Sequence, residues 1–354
     1  MTHRRWLPSP RAFALALAAC AGLAVGPPAA RAAHPFAAEG ITSLTNPAVK
    51  YTSPEAHHAT LRRGPITAIV VDNEPLDIPE CPGHRAGYNG LALLRREGAG
   101  GNLFVPSVAG LNFEHIHDGS SASVREEKFE PRKAPMQLRL IDTHTVEVYQ
   151  PPTPRMRLES CGRYHLLEDG TIEYTFECIP RGATFRNGYL ALFWASYIHQ
   201  PESTNIHFIG QPAEGPDAPR WIEAASPAHG VDSTHPPRGE LPRLPHDDDF
   251  PLTLVFHRSR YVCVEPWYYG TSHGRAYVQM FRPRDRIWLA QSPSGGGTGN
   301  PAWDFQWFIP DPKIGEAYGF TMRAALLATT DRAAIVQATQ PHRDALAAAS
   351  RSAK

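Results

Sequence analysis

MRLESCGRYHLLEDGTIEYTFEC, residues Met156 to Cys178, is the stretch whose reading decides the fold class. Asp169-Gly170 is the strongest short-range signal for a tight hairpin, because the Asp-Gly pair accepts the positive φ values that such turns require. The flanking residues are rich in β-branched and aromatic types, so Met156–Glu168 and Thr171–Cys178 are predicted as paired antiparallel strands. With Asp169 and Gly170 as a two-residue turn, Glu168 faces Thr171, and counting outward along both arms sets Cys161 opposite Cys178. That register predicts a cross-strand disulfide between Cys161 and Cys178; the alternative is two buried free thiols.

The same signal recurs on both sides. Ile66–Val71, Leu91–Arg95, Gln137–Ile141 with Thr145–Tyr149, Tyr189–Ile198, Asn205–Ile209 and Arg220–Glu223 read as strands between Gly, Pro and Asn/Asp turns. Leu252–Val264, Arg275–Phe281, Arg286–Gln291, Trp303–Ile309 and Tyr318–Leu327 follow in the same way. Only Thr330–Ala349 carries a sustained helical composition. Many short strands without alternating helices predict an all-β chain, a large antiparallel two-sheet sandwich with a short C-terminal helix. Two small sandwiches are the alternative. Ser226–Pro251 reads as a proline-rich surface excursion beside a site.

With 354 residues, 42% hydrophobic, the chain has material for one large core. Lys plus Arg number 35 and Asp plus Glu 35, and this balance argues against nucleic acid as a partner, since phosphates call for a basic face. Residues 1–32 read as a signal peptide: Arg4, Arg5 and Arg11 precede an apolar run from Ala12 to Val25 that is too short to span a bilayer. Cleavage after Ala32 leaves Cys81, Cys161, Cys178 and Cys263. A second reading takes Leu17-Ala-Ala-Cys20 as a lipobox, with Cys20 as a lipid anchor. Either way the expected location is periplasmic or extracellular, the second as an outer-membrane lipoprotein. No later segment is expected to cross a membrane. Residues 33–65 read as a leader lying across a single domain, 66–354.

Gly83–Gly119 gathers the densest set of acid, base and hydrogen-bonding groups. Arg85, Tyr88 and Asn89 sit in a glycine-punctuated turn, where forked donors suit hydroxyls and carboxylates. Glu114-His-Ile-His-Asp118 follows. On an extended strand His115 and His117 share one face, with Glu114 and Asp118 on the other. Such a pair serves acid/base work or hydrogen bonding; metal binding by His115 and His117 is the lesser alternative, because the next carboxylate of a cupin-like set, Glu126, lies too far on. No cofactor is implied. A second group, Glu265-Pro-Trp267-Tyr268-Tyr269-Gly270 with His273, is read as an aromatic turn. Flat amphipathic rings there suit the apolar faces of sugars, with Glu265 and His273 as an acid/base pair; core packing is the alternative. His199 ends the strand before it. No Gly-x-Ser-x-Gly, phosphate loop or dinucleotide fingerprint occurs.

Leu289-Ala290-Gln291, the loop Ser292–Gly299, Asn300-Pro-Ala-Trp303 and the turn Gly315-Glu-Ala-Tyr318 together resemble the end of galactose-mutarotase-like proteins. The resemblance covers Ile287–Arg323. It implies a β-supersandwich that binds sugars in a broad cleft. In mutarotases the late strand carries a catalytic glutamate, whereas here the matching place is Ala290, which puts epimerase chemistry in doubt. The expectation is therefore an exported protein with a carbohydrate ligand. Its chemistry would be acid/base work of lyase, hydrolase or epimerase type; a non-catalytic glycan-binding or structural module and a metal-dependent hydrolase on His115 and His117 are the alternatives.

Overall fold

The turn at Asp169 holds one residue more than the shortest form, and the whole hairpin shifts with it. Leu167 and Thr171 close the loop, Gly170 N–H bonds Leu167 O at 2.9 Å, and Gly170 takes φ +86°. In this computed structural model, which describes residues 1, 34–121, 128–215, 217–250 and 257–351, Cys161 is therefore paired with Glu177 and Cys178 with Ser160. A one-residue slip flips a side chain to the other face. Cys178 faces the main core, Cys161 lies against Glu147 on the opposite side, and both are free thiols. The disulfide expected from a two-residue turn is thus corrected.

In chain order the strands are β1 (His58–Arg63), β2 (Ile66–Val71), β3 (Leu76–Ile78), β4 (Cys81–His84), β5 (Gly90–Arg96) and β6 (Asn112–His117). A one-turn helix α1 (Glu130–Lys133) precedes β7 (Gln137–Asp142), β8 (Thr145–Gln150), β9 (Leu158–Leu166), β10 (Ile172–Pro180) and β11 (Tyr189–Ala195). Then come β12 (Ile206–Pro212), β13 (Arg220–Ala224), β14 (Thr234–His235), β15 (Tyr261–Ser272), β16 (Arg275–Phe281), β17 (Trp288–Ser292), β18 (Ala302–Pro310), β19 (Tyr318–Leu327) and α2 (Arg332–Arg351). Residues 2–33, which hold the expected signal segment and Cys20, lie outside the described residues, as do Glu126 and the start of the strand expected from Leu252.

The chain is all-β apart from these helices. Nine strands form one antiparallel sheet in the order β13-β12-β15-β16-β19-β10-β9-β8-β7, and five form a second, β14-β17-β18-β11-β6. Their apolar faces meet: Trp194 of the small sheet stacks on Phe305 and meets Phe176 and Phe320 of the large one edge-on, all near 5 Å. A three-stranded sheet, β1-β2-β5, adds Leu61, Ala68, Val70 and Leu94 to the same core. The expected leader thus ends earlier, because His58–Arg63 is a strand paired with β2. Its preceding part crosses the outer face of the large sheet, where Glu177 accepts the backbone N–H groups of Gly40, Ile41 and Thr42 at 2.9–3.0 Å. The helix α2 covers the outer face of β15, β16 and β19 with Ile335 and Leu346. No helix among the described residues is long and apolar enough to cross a membrane.

Candidate functional site

The second face of the small sheet, turned away from the core, carries the polar chemistry. Strand alternation sets His115 and His117 of β6, Phe193 of β11, Asp304 and Gln306 of β18 and Ala290 of β17 on this face. His115 pairs with Phe193 and Phe113 with Trp194, so Glu114 is the unpaired residue of a β-bulge. The bulge turns the Glu114 carboxylate along the sheet, where Tyr197 Oη donates to Oε2 at 2.8 Å and Arg132 Nη1 to Oε1 at 3.2 Å. The expectation that His115 and Glu114 point to opposite faces fails for this reason: His115 Nε2 is 3.7 Å from Glu114 Oε1.

Glu114, His115, His117 and Asp304 are all buried, and burial governs their protonation. It pushes Glu114 upward from its ordinary value, against the opposing effects of Arg132 and Tyr197. Burial, then the charges of Lys128, His117 and Arg132, hold His115 well below the usual histidine range; His117 is pushed down to about 3 by burial and by Lys128. Burial and then the neighbouring Glu114 charge raise Asp304 well above the carboxylate range, although its Oδ1 accepts the Ser196 N–H at 3.1 Å. His115 stacks on Phe193 at 4.9 Å and meets Phe129 edge-on at 4.6 Å, yet neither of its ring nitrogens has a hydrogen-bond partner among the described residues. A buried imidazole without partners carries a desolvation cost that a ligand would relieve.

An open cleft of about 570 Å³ lies beside this group, lined by Asn73, Gly87, Phe129, Arg132 and Lys133. The guanidinium of Arg132 is held by Gly87 O at 3.0 Å and lies 4.0 Å from the Tyr88 ring centre. Phe129 and Arg132 are therefore the partition between the cleft and the Glu114–His115 pair.

Tyr88 of the turn reaches the Glu114 group through Tyr197 and Arg132. Tyr88 packs edge-on against Tyr197 at 5.7 Å, and the exposed Arg85 guanidinium lies 5.2 Å from the Tyr88 ring centre. Asn89 is spent on structure: its side chain brackets Phe113 N and O at 3.0 and 2.9 Å and so fixes the start of β6. Asp118 is likewise a turn former, accepting from Ser120 N and Oγ and from Asn187 N. His117 packs on Phe250 of the proline-rich excursion at 5.0 Å. His199 lies half-buried just beyond Ile198 at the end of the small sheet.

The aromatic group is elsewhere, which corrects its reading as a turn. Glu265 to Gly270 is the middle of strand β15. Trp267 and Tyr269 pack under α2, Tyr268 faces the core with its hydroxyl on Asp304 O at 3.0 Å, and Glu265 bonds Trp267 and Arg343. His273 is half-exposed at the β15–β16 turn, bonded through its N–H to Glu202. The proposed Glu265–His273 acid/base pair therefore does not form. Among the described residues no group of three or more His, Cys, Asp or Glu is placed to hold a metal ion, so His115 and His117 lack further ligands of that kind.

Arg132, Tyr197, Asp304 and Phe129 were missed in the sequence. Phe129 and Arg132 sit in a charged irregular stretch, and Tyr197 and Asp304 sit inside strands that read as plain core.

No family model matches the chain, and no curated protein matches it. Solved structures with related folds include a protein of Escherichia coli K12 assigned as an aldose 1-epimerase, 13% identical, covering 76% of this chain and 98% of its own, at TM-score 0.43. The galactose 1-epimerase of Lactobacillus acidophilus is 8% identical, covering 78% and 98%, at TM-score 0.41. An α-N-acetylgalactosaminidase of Bifidobacterium bifidum is 12% identical at TM-score 0.45, covering 81% of this chain but 38% of its own.

Proposed function

We propose that this protein binds a carbohydrate in the cleft beside Gly87, Phe129 and Arg132, and that Glu114 and His115 carry out acid/base chemistry on it. The observation that carries this reading is the His115 ring, buried with neither nitrogen hydrogen-bonded among the described residues, 3.7 Å from a carboxyl that burial pushes upward. The shifts give the pair a proton donor and a proton acceptor at the same pH: Glu114 retains its proton longer, and His115 stays neutral. Arg132 and the ring of Phe129, both in the cleft lining, supply the forked donor and the flat face that a hydroxyl-rich ring requires.

Binding without turnover is the second reading, favoured by the position of Phe129 and Arg132 between the cleft and Glu114. A glycan panel with product analysis separates the two. The acid/base reading expects a product with the unaltered protein and none with Glu114→Gln, which still binds the glycan. Binding with no product from any panel member supports the second reading; absence of binding removes both.

Export rests on the N-terminal sequence alone: the arginines before the Ala12–Val25 run, with Ala32 or Cys20 as the processing point. Cell fractionation with N-terminal sequencing of the mature chain tests it, and a cytoplasmic, unprocessed chain would refute it.

A further inference from the structure

Far from these groups along β5, the three-stranded sheet builds a second, basic cleft. Arg62 of β1 pairs with Thr67 of β2, and Thr67 pairs in turn with Arg95 of β5. Directly opposed residues in antiparallel strands share a face, so the two arginines flank one threonine on the same surface, their strands roughly 10 Å apart. They line a cleft of about 480 Å³ together with Gly64, Arg96, Glu97 and Gly100. Behind Gly100 the buried Arg275 guanidinium comes within 3.5 Å of where a Cβ would stand, and its Nη1 bonds Gly101 O at 2.8 Å.

The neighbouring arginines have partners. Arg63 bonds Leu166 O and lies 3.8 Å from Glu168, and Arg96 reaches Leu326 O. Arg62 and Arg95 are exposed and, among the described residues, meet no carboxylate. Glu97 is the one acid in the lining, against three arginines. Two guanidinium forks of like charge at this spacing repel one another, and an anionic ligand reaching both reverses the sign of that interaction.

Resting on the carbohydrate reading above, we propose that this cleft binds an acidic oligosaccharide, with carboxylate or sulfate groups held by Arg62 and Arg95 and a hydroxyl by Thr67. The zero net charge of the chain provides no extended field for a nucleic-acid backbone.

The test is calorimetric titration at low salt with three probes: tetragalacturonate, a sulfated tetrasaccharide and neutral maltotetraose. The expected result is binding of one or both acidic probes, weakened by added salt, with the preferred probe identifying the anionic group. Arg62→Gln with Arg95→Gln lowers that affinity about tenfold or more, as loss of charged hydrogen bonds should. Arg220→Gln with Arg243→Gln, an equal charge change on exposed residues elsewhere, leaves it unchanged. The inference is overturned if neither acidic probe binds, if maltotetraose binds equally well, or if the first pair of substitutions has no larger effect than the second. Both pairs alter exposed side chains, and an unchanged melting temperature confirms the fold. The Glu114–His115 reading does not depend on this result.

Discussion

Asp304 stands directly across the β17–β18 strand pair from Ala290, on the face of the small sheet that also carries His115. Asp304 is a second buried acid, in electrostatic contact with Glu114. Its environment gives a definite pH signature. Asp304 is raised in the folded state above its ordinary value of 3.8, so the folded chain holds this proton more tightly than the unfolded one. The stability linked to it is complete below pH 3.8 and is lost as pH rises through the folded value. Asp304→Asn, which keeps an acceptor for Ser196 N–H, should therefore gain in melting temperature relative to the unaltered protein as pH rises. A constant difference across pH would show that Asp304 does not titrate in this way.

His117 gives the opposite signature. Its folded value of about 3 lies below the ordinary 6.5, so the stability linked to it is present above pH 6.5 and is lost as pH falls toward 3. His117→Gln should flatten the acid limb of the stability profile between those values. Acid titration followed by far-ultraviolet circular dichroism measures it, and parallel profiles for the two proteins would count against a buried neutral His117.

Trp267 should matter for stability and not for ligand. Its ring is buried against α2, and Trp267→Ala removes that packing at a cost of about 3–5 kcal/mol. Chemical denaturation should show the loss while glycan affinity in the folded protein stays unchanged. A selective loss of glycan binding with intact stability would reinstate the aromatic group as a site.

Cys161 and Cys178 should be recovered as free thiols. They stand on opposite faces of the β9–β10 hairpin, and a disulfide would require one strand to slip by a residue, carrying core side chains outward. Peptide mapping under non-reducing conditions reads this directly, and a Cys161–Cys178 linked peptide would contradict the observed register.

The hairpin also shows how far the sequence can be read. Asp169-Gly170 placed the turn and both strands, because the Asp-Gly preference is local and backbone-determined. One more residue in the loop was invisible to that signal and moved the register. Alternation was the signal overlooked at Trp267-Tyr268-Tyr269: every second residue faces α2 and the middle one faces the core, as in any strand covered on both sides. The candidate site was half legible. Tyr88, Glu114 and His115 stood out by chemistry and are near one another. Arg132 and Tyr197 became visible only when tertiary packing brought them to a carboxylate 18 and 83 residues distant in sequence. The bulge at Glu114, which creates the site's geometry, depends on pairing with β11 and leaves no mark on β6 alone.

The account rests most directly on what Phe129 does, since it lines the cleft and touches His115 without bonding Glu114. Titration of a panel-selected glycan into the unaltered protein, Phe129→Ala and Trp267→Ala decides it. The account predicts affinity lost at least about tenfold in Phe129→Ala, as expected for removal of a stacking ring, and retained in Trp267→Ala. Equal affinity in all three proteins would place the ligand elsewhere and contradict the account.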